Sequence, residues 1–149
     1  MALLQKGVEM AAGRLPKFIK PQAHAVLDYA VAGTFLLVGA LYWRRNRRAA
    51  ISSFICGGAA AANSLMTDYP GGAWKKISYR THGKIDAGLA GITAAMPRLM
   101  SFSDDAESKF FTTQSMAETA ITAVTDFDYY EHPASDRMKS HEEEDEIVA

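Results

Sequence analysis

The sequence predicts an all-α protein: two tandem helical hairpins forming a four-helix bundle that hydropathy reads as transmembrane, preceded by an amphipathic N-terminal helix. Three observations carry this. Four long stretches are nearly free of charge and are separated by charged loops. No alternating β-branched runs mark strands. The chain also matches itself at one fixed offset, without a gap.

Residues 1–20 form a basic segment. Leu3, Leu4, Val8, Ala11, Ala12, Leu15, Phe18 and Ile19 recur at helical spacing, with Lys6, Arg14, Lys17 and Lys20 interleaved. Such a helix can lie in a membrane interface or pack on a bundle. The broken apolar stretch argues against a signal peptide.

Residues 21–69 hold the first hairpin. Ala25 to Trp43 carries one charge, Asp28, and Ala49 to Thr67 carries none. Both runs reach the roughly 20 residues that cross a bilayer core. Pro21 suits a first helical turn. Gly57, Gly58 and Ala59 to Ala62 are small residues of the kind that let membrane helices approach closely. Tyr42, Trp43, Tyr69 and Trp74 fall at helix ends, where aromatic belts form. Pro70-Gly71-Gly72 stops the second helix, and residues 70–78 form a linker.

Residues 79–127 hold the second hairpin, shorter in its apolar runs and more polar. Asp86 is the only charge from Ile85 to Pro97, and Glu118 the only one from Phe110 to Thr125. Pro97 is expected to kink or end the third helix. Ser103, Asp104 and Glu107 read as a capping box opening the fourth. Residues 128–149 form an acidic tail, expected to be disordered.

The internal match pairs His24 with His82, Asp28 with Asp86, Ala32-Gly33 with Ala90-Gly91, Leu41 with Leu99, Ala59 with Ala117, Ala62 with Ala120 and Thr67-Asp68 with Thr125-Asp126. The polar matches weigh most, because alanine richness inflates the others. Two copies of a two-helix hairpin enter from the same side, so in a membrane the repeats are parallel. Lysine and arginine counts then favour both termini inside, although Arg44, Arg45, Arg47 and Arg48 pull the other way.

His24 and Asp28 are four apart and share one helix face near its start. Asp68 ends the second helix, so an antiparallel hairpin brings it close. The same holds for His82, Asp86 and Asp126. Asp68 and Asp126 stand at the unfavourable end of a helix dipole and call for partners. His24 and His82 are the nearest candidates. The six side chains are therefore expected at one end of the bundle. Three roles compete for them: polar ties between helices, a metal or cofactor site with ligands suited to Fe, Mn or Zn, and a proton or ion relay. The di-iron signature Glu-x-x-His does not occur. Glu118 matches Ala60 in the other repeat; in a soluble bundle it faces water, in a membrane the interior.

Net charge −1 speaks against a nucleic-acid binder. The single cysteine, Cys56, excludes internal disulfides and multi-cysteine zinc sites. It is read as inert, in apolar company. No nucleophile elbow, P-loop or dinucleotide fingerprint occurs, so the sequence offers no enzyme signature.

Two hairpins that each open with His-x-x-x-Asp, the first closing with Thr67-Asp68-Tyr69, resemble the SPW-repeat family of small bacterial membrane proteins. The resemblance covers about residues 21–127. The positions of its Ser-Pro-Trp motif read Val38-Gly39-Ala40 and Met96-Pro97-Arg98 here, with Pro97 retained. It implies two membrane-spanning helices per repeat and a multi-pass location in the bacterial inner membrane, the lipid bilayer being the chief partner. The expected function is structural or accessory, in an integral membrane protein able to form homo-oligomers. The alternatives are a bundle, membrane or cytoplasmic, that binds a divalent or iron-type metal, and a small proton-coupled carrier.

Overall fold

A computed structural model describes residues 15–132. The predicted N-terminal helix up to residue 14 and the tail from residue 133 lie outside the described residues. Residues 15–20 are not helical; Ile19 bridges to Thr125 instead. The start of the tail includes a 3-10 turn, Tyr129–Glu131.

Four helices follow in order: α1 (Pro21–Tyr42), α2 (Arg47–Met66), α3 (Tyr79–Leu99) and α4 (Ser108–Val124). Among the described residues there is no strand, only two isolated bridges. By length and composition, α1 and α2 are apolar enough to cross a membrane; α3 and α4 do not meet that measure.

The helix starts follow local chemistry. Pro21 opens α1, where its missing N–H is no loss. Asn46 caps α2 by accepting from the Ala49 N–H at 3.1 Å. Its amide also donates to Asp105 at 2.6 Å, tying the α1–α2 turn to the α3–α4 turn. Ser78 caps α3 through the Thr81 N–H. The capping box expected before α4 does not form. The helix begins at Ser108, and Glu107 makes no cap bond. Its carboxylate pairs with Arg45 at 3.4 Å instead, so a tertiary ion pair displaces the local motif. Pro97 sits in the last turn of α3, which ends two residues later. Freed of a helical role, its carbonyl accepts from the Phe102 N–H at 2.8 Å.

The repeat is visible in the backbone. Ile19 bridges Thr125, and Ile77 bridges Thr67. The Asp126 N–H donates to the Ile19 carbonyl at 3.0 Å, and the Asp68 N–H to the Ile77 carbonyl at 2.8 Å. A shift of 58 residues turns each contact into the other. The end of each hairpin is thus stapled to the segment leading into the other, as a pseudo-twofold axis requires.

The interior has two distinct ends. Near the α1–α2 and α3–α4 turns, Phe35, Phe102 and Phe111 pack with Met96, Cys56 and Ala49. Phe102 and Phe111 meet edge to face, ring centroids 5.2 Å apart, a favoured aromatic geometry. Gly57 lets α2 approach α1, because a Cβ there would lie 2.8 Å from that of Phe35. At the opposite end, Tyr69, Tyr79 and Ala25, with Phe127 against them, surround the buried histidines.

Polar side chains are buried alongside this apolar core, and large apolar ones are left outside. Ser52, Ser53, Asn63, Ser64 and Thr93 are buried, while Val26, Leu37, Leu41, Leu99 and Met116 are each more than 60% exposed. Tyr69, read from sequence as an interfacial aromatic, is buried; Trp43 and Trp74 are exposed.

A candidate metal centre on the pseudo-twofold axis

His24 and Asp28 face inward from the first turns of α1, and His82 and Asp86 from the first turns of α3. The i, i+4 spacing puts each pair on one helix face. Both imidazoles are fully buried and the two carboxylates nearly so. The Nε2 atoms of His24 and His82 are 3.2 Å apart. Each also meets both aspartates. His24 Nε2 lies 3.2 Å from Asp28 and 3.1 Å from Asp86. His82 Nε2 lies 3.1 Å from Asp28 and 2.8 Å from Asp86. One ligand atom from each of the four residues can be chosen so that all lie within 4.8 Å of one another.

The far side of each imidazole fixes its tautomer. His24 Nδ1 is 2.9 Å from Thr125 Oγ1, and His82 Nδ1 is 2.8 Å from Thr67 Oγ1. Each threonine hydroxyl donates its single proton to a helix carbonyl, Thr67 to Asn63 and Thr125 to Ile121, both at 2.6 Å. A hydroxyl whose proton is committed can only accept. Nδ1 of each histidine therefore carries the proton and donates it. A neutral imidazole then presents its Nε2 lone pair to the centre of the cluster, the arrangement usual for a metal-bound histidine.

The carboxylates are held as well. The Tyr69 hydroxyl donates to Asp28 at 2.7 Å, and the Asn63 amide donates to Asp86 at 2.8 Å. Burial holds the Tyr69 hydroxyl well above the usual phenol range, so it stays a donor. Each of the four central groups thus has one dedicated outer partner.

Sequence reasoning placed six ligands here, and the structure brings four together. Asp68 is exposed and pairs with Lys75 at 3.2 Å. Asp126 lies 3.3 Å from His132, away from the centre. The expected pairing of these aspartates with the histidines is corrected: their threonine neighbours, Thr67 and Thr125, take that place. The repeat match had marked both threonines. Asn63 was missed, since its counterpart, Ile121, is apolar and no periodicity signals it.

Glu118 projects from α4 into a cavity of about 40 Å³ beside the cluster. His24, Asp28 and Asp86 line the same cavity, as do Ser64, Thr93 and Phe35. Both Glu118 oxygens are buried without a hydrogen-bond partner among the described residues. Thr93 and Gln114 are the polar side chains beside it.

Comparisons with protein-family models, curated proteins and solved structures found no match to this chain.

Proposed function

We propose that the chain is a four-helix membrane protein that binds one divalent transition-metal ion through His24, Asp28, His82 and Asp86. The facing Nε2 atoms of His24 and His82 carry this reading. They stand 3.2 Å apart with both carboxylates around them, and with both rings neutral a cation between them takes up the two lone pairs. Ligand atoms about 2.0–2.1 Å from a zinc-type ion stand roughly 3.3 Å apart when tetrahedral; the two Nε2 atoms and Asp86 Oδ2 are 2.8–3.2 Å from one another, and one atom from each of the four residues falls within 4.8 Å of the rest. Two ionised carboxylates and two neutral imidazoles sum to −2, which a dication balances. Imidazole and carboxylate are borderline-to-hard donors suited to Zn, Fe or Mn.

A bilayer setting is supported by the large apolar side chains left on the outside of the bundle. Large apolar groups face outward on all four helices, while serines, threonines and histidines are buried beside the aromatic core. Large exposed apolar patches are rare on soluble proteins and mark membrane or partner surfaces. The resemblance to the SPW-repeat family supports the same reading and a bacterial inner membrane. α3 and α4 would cross beside the more apolar α1 and α2. A binding role is favoured over a carrier because four ligand-type side chains converge on one point and each is held by its own outer partner.

Two measurements test the proposal. Alkaline carbonate extraction should leave the chain in the membrane pellet; release into the supernatant contradicts the bilayer setting. Detergent-purified protein prepared without chelator should hold close to one metal ion per chain, and His82→Ala should hold little. Metal-free protein that also takes up none on titration contradicts the metal reading.

A further inference from the structure

The cavity beside the cluster is the feature that a symmetric four-ligand site leaves unexplained. It lies on one side of the site and is lined by three of the four proposed ligands. Its walls follow the repeat in part: Ser64 and Thr122 are repeat mates and both line it. Glu118 breaks the symmetry, because its mate Ala60 lines the cavity from α2 with only a methyl group. A buried carboxylate whose oxygens have no hydrogen-bond partner is costly, the more so when charged. Packing does not require one there, since alanine serves at the matching place. A volume of about 40 Å³ exceeds the minimum that holds a water. His24, Asp28 and Asp86 form part of its wall, so its contents lie against the metal site.

We infer that this cavity is the ligand pocket of the metal centre: it takes a small protic molecule, water being the simplest, that binds the ion through one atom and lies hydrogen-bonded, directly or through a second water, to the Glu118 carboxylate. The inference rests on the metal reading. It adds that the ion keeps a position for an outside ligand, and that Glu118 positions that ligand without itself binding the ion. Iron and manganese take more than four ligands, so two histidines and two aspartates leave that position available to them, whereas zinc held tetrahedrally by all four is closed.

The test uses the full chain loaded with Mn(II) in detergent and exchanged into D2O. Electron spin-echo modulation then reports deuterons coupled to the ion. The wild type should show the modulation of a bound D2O. Glu118→Leu fills the cavity with methyl groups and should lose it while keeping its manganese. Ala60→Leu fills the same cavity from α2 and should do likewise, so the result does not hang on the folding of one variant. Glu118→Gln, still able to accept a hydrogen bond, should retain the signal. Manganese bound without coupled deuterons in the wild type overturns the inference, as does an unchanged modulation in both leucine variants. A wild-type chain that takes up no metal overturns the metal reading itself, and this inference falls with it.

Discussion

The Nε2 atoms of His24 and His82, 58 residues apart in the chain, face each other at 3.2 Å on the axis that relates the two hairpins. The contact is possible because each ring is turned by a threonine of the opposite repeat. His24 is held by Thr125 and His82 by Thr67. The cluster is therefore a joint between repeats, and neither hairpin can build it alone.

Thr67→Val and Thr125→Val remove the acceptor for Nδ1–H while keeping the side-chain volume. Each should weaken metal binding by about 10–100-fold, the usual loss when the outer partner of a metal-bound histidine is removed. Thr→Ser at either place should stay near wild type. Competition titrations against a chelator of known affinity measure this. Equal affinities for the valine and serine variants would show that the threonines do not orient the rings.

Asp86→Asn and Asp68→Asn separate the two kinds of aspartate. Asp86 meets both histidines, and its substitution should abolish tight binding. Asp68 pairs with Lys75 on the surface, and its substitution should change neither metal content nor stability measurably, as is common for exposed pairs. Metal analysis of the two purified variants decides. Loss of metal from Asp68→Asn would return that residue to the site.

The repeat made much of this legible in the sequence. Identical spacing from His24 to Asp28 and from His82 to Asp86 placed both pairs near helix starts. The threonine–aspartate matches at the hairpin ends marked the right segments but not the right side chain. Thr67 lies inward because the backbone after it turns to give the Asp68 N–H to the Ile77 carbonyl, which sends the Asp68 carboxylate outward. That turn depends on a contact between segments, and no local propensity encodes it. The same limit explains α4. Asp104 and Glu107 form a sound capping pattern, yet Arg45, distant in sequence, takes Glu107. The short apolar run of α3, Ile85 to Pro97, predicted its length poorly, whereas the runs read for α1, α2 and α4 lie close to their helices.

Gly57 and Gly58 are neighbours with opposite expectations. A Cβ on Gly57 would stand 2.8 Å from Phe35 Cβ and 3.1 Å from the Ala32 carbonyl oxygen. Gly57→Ala should therefore destabilise the chain by about 1–3 kcal/mol, the range for overpacking. Nothing lies within 4 Å of a Cβ on Gly58. Gly58→Ala should be neutral or stabilising by up to about 1 kcal/mol through helix propensity. Thermal or denaturant unfolding in detergent compares them, and equal effects would contradict the close approach of α1 and α2.

Tyr69→Phe deletes the hydroxyl that donates to Asp28. The loss of one hydrogen bond to a charged group should cost about 1.5–3 kcal/mol. Metal-loaded protein should lose less than metal-free protein, because the ion also stabilises the carboxylate. Unfolding with and without bound metal reads both effects. A variant as stable as wild type in both states would show that the bond contributes nothing.

The most direct measurement is X-ray absorption at the edge of whatever first-row metal the detergent-purified chain carries. The account predicts a shell of nitrogen and oxygen at about 2.0–2.1 Å, the outer-shell scattering of two imidazoles, and no sulfur shell. His24→Ala should lose the metal or half of the imidazole signal. A sulfur shell at about 2.3 Å, or bound metal without imidazole scattering, would place the ion elsewhere and contradict the site formed by His24, Asp28, His82 and Asp86.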